Sequence, residues 1–225
     1  MKKVLISLSI IGAVAAIAIG ATVAYFSDTE TSTGNTFSAA TLDLEAGGPG
    51  FSQPISVSGM KPGDDTGYFK WIIKNTGSIP GKISVTFSPI TNDENDINEP
   101  EQGAENQSYA TTTGELGQYL IPTVGWGPKG SSVPSNLYNI WQAGPPHPWG
   151  TPGLNGLGGN TYGTFGYLPG DILNPGQEVA FFFRVTLDKD LRRWDGTTWV
   201  DVDDNIIQSD SVRFDITFRL DQVTP

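Results

Sequence analysis

The sequence predicts an all-β chain, an antiparallel β-sandwich of jelly-roll or immunoglobulin-like connectivity with long loop insertions behind a cleaved signal peptide. Three observations carry this reading. Glycine and proline supply 28 and 16 of the 225 residues while charged side chains make up 16%, poor material for helical bundles or coiled coils. Apolar and polar residues alternate in several short runs, the period of a strand with one buried face. Pro-Gly pairs punctuate the chain just ahead of two of those runs.

Lys2 and Lys3 open the chain, and Val4 to Ala24 follow as an almost wholly apolar run, the layout of a secretory leader. The triplet Thr22-Val23-Ala24 fits a signal peptidase, so the mature, secreted chain is expected to begin at Tyr25 and to meet a membrane only through the leader. A run of this length also suffices for a retained membrane anchor. The expected division is then a leader over 1–24, an arm over 25–36 and a sandwich over 37–225 with insertions at 91–117 and 122–170.

Short strands are expected at Phe37 to Leu44 and Ile55 to Ser58. Met60-Lys61-Pro62-Gly63-Asp64 reads as a type II turn leading into a strand through Phe69, Trp71 and Ile73. Ile83, Val85 and Phe87 form the next strand, and these two are expected to pair as a loose hairpin across Asn75 to Gly81. Tyr119 to Val124 is another short candidate. After a second turn, Asn174-Pro175-Gly176-Gln177, the run Val179, Phe181, Phe183, Val185 and Leu187 also carries Ala180 and Phe182 on its other face, which marks a central strand. Leu191 to Trp194 is expected to pair with Trp199 to Val202. Finally Val212, Phe214, Ile216, Phe218 and Leu220 alternate with polar residues as one half-buried strand.

Acidic residues outnumber basic ones 24 to 13, a formal charge of −11 that disfavours nucleic acid as a partner. With no cysteine and one histidine, His147, the chain lacks cysteine-zinc sites and a His-Glu-x-x-His peptidase centre. Serine catalysis would depend on the same imidazole, and no Gly-x-Ser-x-Gly elbow is present. Carboxylate pairs for glycoside hydrolysis are left open by counting alone. The expectation is a non-enzyme without a cofactor.

The segment Thr91 to Gly117 holds Asp93, Glu94, Asp96, Glu99, Glu101, Glu105 and Glu115 with few apolar groups, and reads as a solvated excursion. Asn106-Gln107-Ser108 is its glycosylation sequon. Pro122 to Gly170 is rich in Gly and Pro and carries Trp126, Tyr138, Trp141, Trp149, Tyr162, Phe165 and Tyr167. So many rings require cover from the sandwich, a neighbouring subunit or a ligand. Because aromatic faces suit sugar stacking, Trp126, Trp141 and Trp149 motivate an alternative function, a secreted carbohydrate-binding module. Calcium is the alternative to no cofactor. Asp201, Asp203 and Asn205 begin like an EF-hand loop, but Ile206 stands where glycine belongs and Val212 where the last acid belongs, so only an irregular site remains, from Asp201, Asp203 or Asp204 or from Asp93, Glu94 and Asp96.

The stretch from Ala24-Tyr25-Phe26-Ser27-Asp28-Thr29-Glu30 to Thr41-Leu42-Asp43-Leu44 resembles the leader junction of the TasA and camelysin family. Met60-Lys61-Pro62-Gly63-Asp64, Lys74-Asn75-Thr76-Gly77-Ser78 and Asn174-Pro175-Gly176-Gln177 are similar to later family blocks, in the same order. The resemblance implies a secreted jelly-roll released by a dedicated signal peptidase, and a subunit of extracellular biofilm fibres or pili. It also implies a homopolymer built head-to-tail by donor-strand complementation. Tyr25, Phe26, Ser27, Asp28, Thr29, Glu30, Thr31, Ser32 and Thr33 are the expected donor strand, anchored by Tyr25 and Phe26. A free arm so poor in apolar residues cannot repay its ordering entropy alone and needs a sheet edge. Pairing within its own subunit is the competing expectation.

Overall fold

Alternation of apolar and polar side chains builds strands wherever one face can be buried, and most of the expected runs do so in the computed structural model of the protein. It describes residues 27–31, 44–47, 55–97, 99–105, 113–139, 153–194 and 197–223. The expected leader lies outside these residues, as do Tyr25, Phe26, Ser32, Thr33, Phe37 to Asp43, Asn106, Trp141, His147 and Trp149. The strands begin with β1 (Ser27–Thr31), β2 (Leu44–Gly47), β3 (Ile55–Ser58), β4 (Phe69–Asn75) and β5 (Gly81–Phe87). Next come β6 (Thr91–Asp93), β7 (Leu120–Gly127), β8 (Asn136–Asn139), β9 (Thr161–Tyr162) and β10 (Ile172–Leu173). The last are β11 (Glu178–Leu187), β12 (Arg192–Trp194), β13 (Trp199–Asp201), β14 (Ser211–Phe214) and β15 (Ile216–Gln222). Two short α-helices, α1 (Glu99–Glu105) and α2 (Leu116–Tyr119), lie between β6 and β7. Among the described residues no helix is long and apolar enough to cross a membrane.

The fold is mostly β, its sheets are antiparallel and its helices are few, as expected. One five-stranded sheet runs β1-β15-β5-β10 with β9 also on β5, and the other runs β2-β4-β11-β7-β8. A three-stranded sheet, β3-β14-β6, and the ribbon β12-β13 complete it. Rings from the two larger sheets meet in one core. Phe181 on β11 lies 5.0 Å from Trp126 on β7 and 5.3 Å from Phe218 on β15, while Trp71 on β4 lies 6.2 Å from Phe218. Phe87 on β5 closes the group, 5.9 Å from Phe183. β11 is central, between β4 and β7, and both its faces are covered: Ala180 and Phe182 are as buried as Phe181 and Phe183.

Both turns form as their residues dictate. Gly63 and Gly176 adopt φ of 91° and 72°, and the closing bonds run from Asp64 N–H to Lys61 O and from Gln177 N–H to Asn174 O. β12 pairs with β13, Arg192 opposite Asp201 and Trp194 opposite Trp199, also as expected.

Three expectations are corrected. β4 and β5 are not a hairpin: they belong to different sheets, and the segment between them crosses from one to the other. Asn75 decides this. Its fully buried side chain donates to Ile79 O and Leu173 O, both at 2.9 Å, and accepts from Gly77 N–H, so the connection folds around its own amide instead of closing a tight turn. Asn75→Ala would strand these buried partners, and we expect it to cost about 3 kcal/mol, read as a fall in Tm of roughly 6–10 °C.

The run Val212 to Leu220 is not one strand. It breaks at Asp215, where Asp215 N–H donates to Ser88 Oγ and Ser88 N–H to Asp215 O, each at 2.9 Å. β14 thereby joins the three-stranded sheet and β15 the first large one, while all five apolar residues stay buried. Nor is Thr91 to Gly117 simply solvated. It supplies β6, α1 and the start of α2, and Glu101, Ala104, Glu115 and Leu116 are buried.

Candidate functional site

β15 has two sides. One pairs with β5 over Ile216 to Gln222; the other pairs with β1, with Ser27 opposite Asp221, Asp28 opposite Leu220, Thr29 opposite Arg219, Glu30 opposite Phe218 and Thr31 opposite Thr217. Without β1, β15 would be an edge strand with a row of unpaired N–H and C=O groups. Of the expected donor residues, Ser27, Asp28, Thr29, Glu30 and Thr31 form β1 and complete the sheet of their own chain; Tyr25, Phe26, Ser32 and Thr33 fall outside the described residues.

The aromatic insert divides in two. Trp126 is fully buried against Phe181 and Phe218, so it offers no face to a sugar. Nothing in its local pattern of Gly and Pro distinguished it from an exposed ring; its place on an eight-residue strand did. Tyr138, on the edge strand β8, stacks on Phe165 at 4.4 Å and remains 47% exposed beside Leu137.

The acidic residues separate likewise. Asp203 caps the turn at Asp204 to Ile207 by accepting from Asn205 N–H at 3.0 Å, Asp204 accepts from Leu191 N–H at 3.2 Å, and Asp93 pairs with Arg213 at 2.7 Å. Asp201, Asp203 and Asp204 line one cleft with Asp190, but among the described residues neither they nor Asp93, Glu94 and Asp96 form a set of three whose carboxylate oxygens all lie within 4.8 Å of one another. A different set does. Glu94, Glu105 and Glu115 bring carboxylate oxygens within 4.8 Å of one another, and so do Glu94, Glu101 and Asp210. Burial, reinforced by repulsion from Glu115, Glu94 and Glu101, raises the Glu105 pKa to about 7. Burial also raises Asp210 to about 7 against the opposing pull of the Leu116 and Glu115 N–H groups, and Glu94 is raised by burial and by its neighbours Glu115 and Glu101. Sequence reading named Glu94, Glu101, Glu105 and Glu115 but took their segment as solvated, and Asp210 lies far from them along the chain.

The family model described as camelysin metallo-endopeptidase matches residues 1–106. Over those residues the chain is similar to the camelysin family. The match covers the expected leader and continues through β6 and α1, and the camelysin family is one of secreted proteins. No curated protein and no solved structure matches the chain. A catalytic zinc of the kind a metallo-endopeptidase uses takes mainly imidazole ligands. The camelysin-like chain has one histidine, and the donors gathered among the described residues are all carboxylates, which do not fit such a centre.

Proposed function

We propose that the protein is a structural subunit of an extracellular filament, a biofilm fibre or pilus, and acts as a polymer unit instead of a peptidase. Each subunit is an incomplete jelly-roll-like sandwich, exported by its leader and trimmed by signal peptidase. The N-terminal arm of one subunit then fills the β15 edge of the next. The observation that carries the reading is the seat of β1: the first described strand lies at the end of a sheet, paired on one side only, with the twelve residues 32–43 between it and β2. Twelve residues can reach about 40 Å when extended, far enough to carry the arm to a neighbour.

Exchange between chains keeps every backbone bond of that seat and changes only whose arm fills it, the logic of a strand swap. Because arm and edge are different surfaces, the contact is head-to-tail and grows into a filament unless the rotation closes a ring.

Cysteine pairing tests this, since the chain has no native cysteine. Thr29 and Arg219 are opposed, and such positions lie about 4.5–5.5 Å apart, within disulfide reach. Filaments grown from a mixture of the single variants Thr29→Cys and Arg219→Cys should yield disulfide-linked dimers on a non-reducing gel. If the mixture gives none while the double variant closes into oxidised monomers, the arm stays at home and the reading fails.

A further inference from the structure

We propose that the acidic pocket between α1, the Gly114 to Leu116 segment and Asp210 is a calcium site. Its five carboxylates come from four separate stretches: Glu94 follows β6, Glu101 and Glu105 lie one turn apart on α1, Glu115 precedes α2, and Asp210 precedes β14. Folding thus assembles a group that no acidic run in the sequence contains.

The decisive oxygen belongs to Asp210, which is 1% exposed. Its Oδ2 accepts from Glu115 N–H at 2.5 Å and Leu116 N–H at 2.8 Å, which fixes the carboxylate, while its Oδ1 has no hydrogen-bond partner. A buried anionic oxygen with nothing to accept from costs several kcal/mol, and a cation removes that cost. Among the described residues Glu94, Glu105 and Asp210 join no ion pair; Lys129, Arg184, Arg213 and Arg219 pair with other carboxylates, Arg213 with Asp93.

Geometry and donor type select the ion. Oxygens that touch one calcium at about 2.3–2.6 Å lie no more than about 5 Å apart, and each group of three falls within 4.8 Å. Glu94 belongs to both groups, so it links them into one pocket. An all-oxygen set without imidazole or thiolate suits a hard cation and not zinc. Carboxylates drawn from loops and a short helix suit calcium's adaptable shell better than the strict octahedron of magnesium, which keeps most of its water. Bound calcium would pin α1 and the Gly114 segment to Asp210, the residue just ahead of β14 and two upstream of Val212.

The site does not depend on the filament reading, and its test uses the secreted protein after EGTA treatment. Calcium chloride at 1 mM is expected to raise Tm by about 10 °C and to give a saturable binding heat, with magnesium chloride at 1 mM giving under a quarter of the shift. Asp210→Asn should weaken calcium binding at least tenfold; because that residue also orders two N–H groups, Glu94→Gln, which leaves them untouched, should do the same. Absence of a calcium shift in the stripped wild-type protein, an equal shift with magnesium, or a wild-type response from Glu94→Gln would each overturn the proposal.

Discussion

A chain lacking residues 25–36 is expected to be secreted and folded yet to form no filaments at any concentration that polymerises the full chain. The deletion removes β1 and exposes the β15 edge along its whole paired length, while the aromatic core of Trp71, Phe87, Trp126, Phe181 and Phe218 keeps every contact between its rings. The truncated subunit therefore has an acceptor but no donor. A synthetic peptide with the sequence of residues 25–36 should bind it one to one, and adding a small share of truncated subunits to full-length ones should shorten filaments by terminating growth. Negative-stain micrographs and sedimentation report all three outcomes. Filaments of normal length from the truncated chain would remove the arm from the assembly mechanism altogether.

The largest effect on stability is expected at the centre of the core. Trp126→Ala should cost about 3–5 kcal/mol and lower Tm by roughly 10–15 °C, because it empties the space between Phe181, at 5.0 Å, and Phe218, at 6.5 Å. Trp126→Phe should cost much less, about 1–2 kcal/mol: it keeps most of the apolar volume and removes an indole Nε1–H that has no hydrogen-bond partner. Tyr138→Ala, at an exposed ring on an edge strand, should cost under about 1 kcal/mol. Urea unfolding of the three variants would reverse our assignment of the core if Tyr138→Ala proved as damaging as Trp126→Ala.

The periodic parts of the chain were legible and the non-periodic parts were not. Val179 to Leu187 announced a central strand because both of its faces are apolar, and Pro62-Gly63 and Pro175-Gly176 specified turns through local sterics alone. Periodicity says which face is buried but not which sheet receives it. Hence Val212 to Leu220 looked like one strand, although Asp215 and Ser88 divide it between two sheets without disturbing the alternation. The same limit made β4 and β5 look like a hairpin. The acidic excursion was misread for a different reason: composition treats a carboxylate as solvated, whereas Glu101, Glu115 and Asp210 are held inside by backbone and helix geometry that no short window contains. The edge at β15 was foreseen only as a need of the arm; its identity came from register.

The corner at Asp215 also bears on mechanics. In a filament joined through arms, tension would act along the axis of β15, so its opposed pairs with the incoming arm would be strained together in shear and not peeled apart one by one. The pull does not end in that sheet. It passes around the Ser88–Asp215 clasp into β14 and on to Asp210, so the carboxylate pocket sits on the path by which one subunit would transmit force to its own interior.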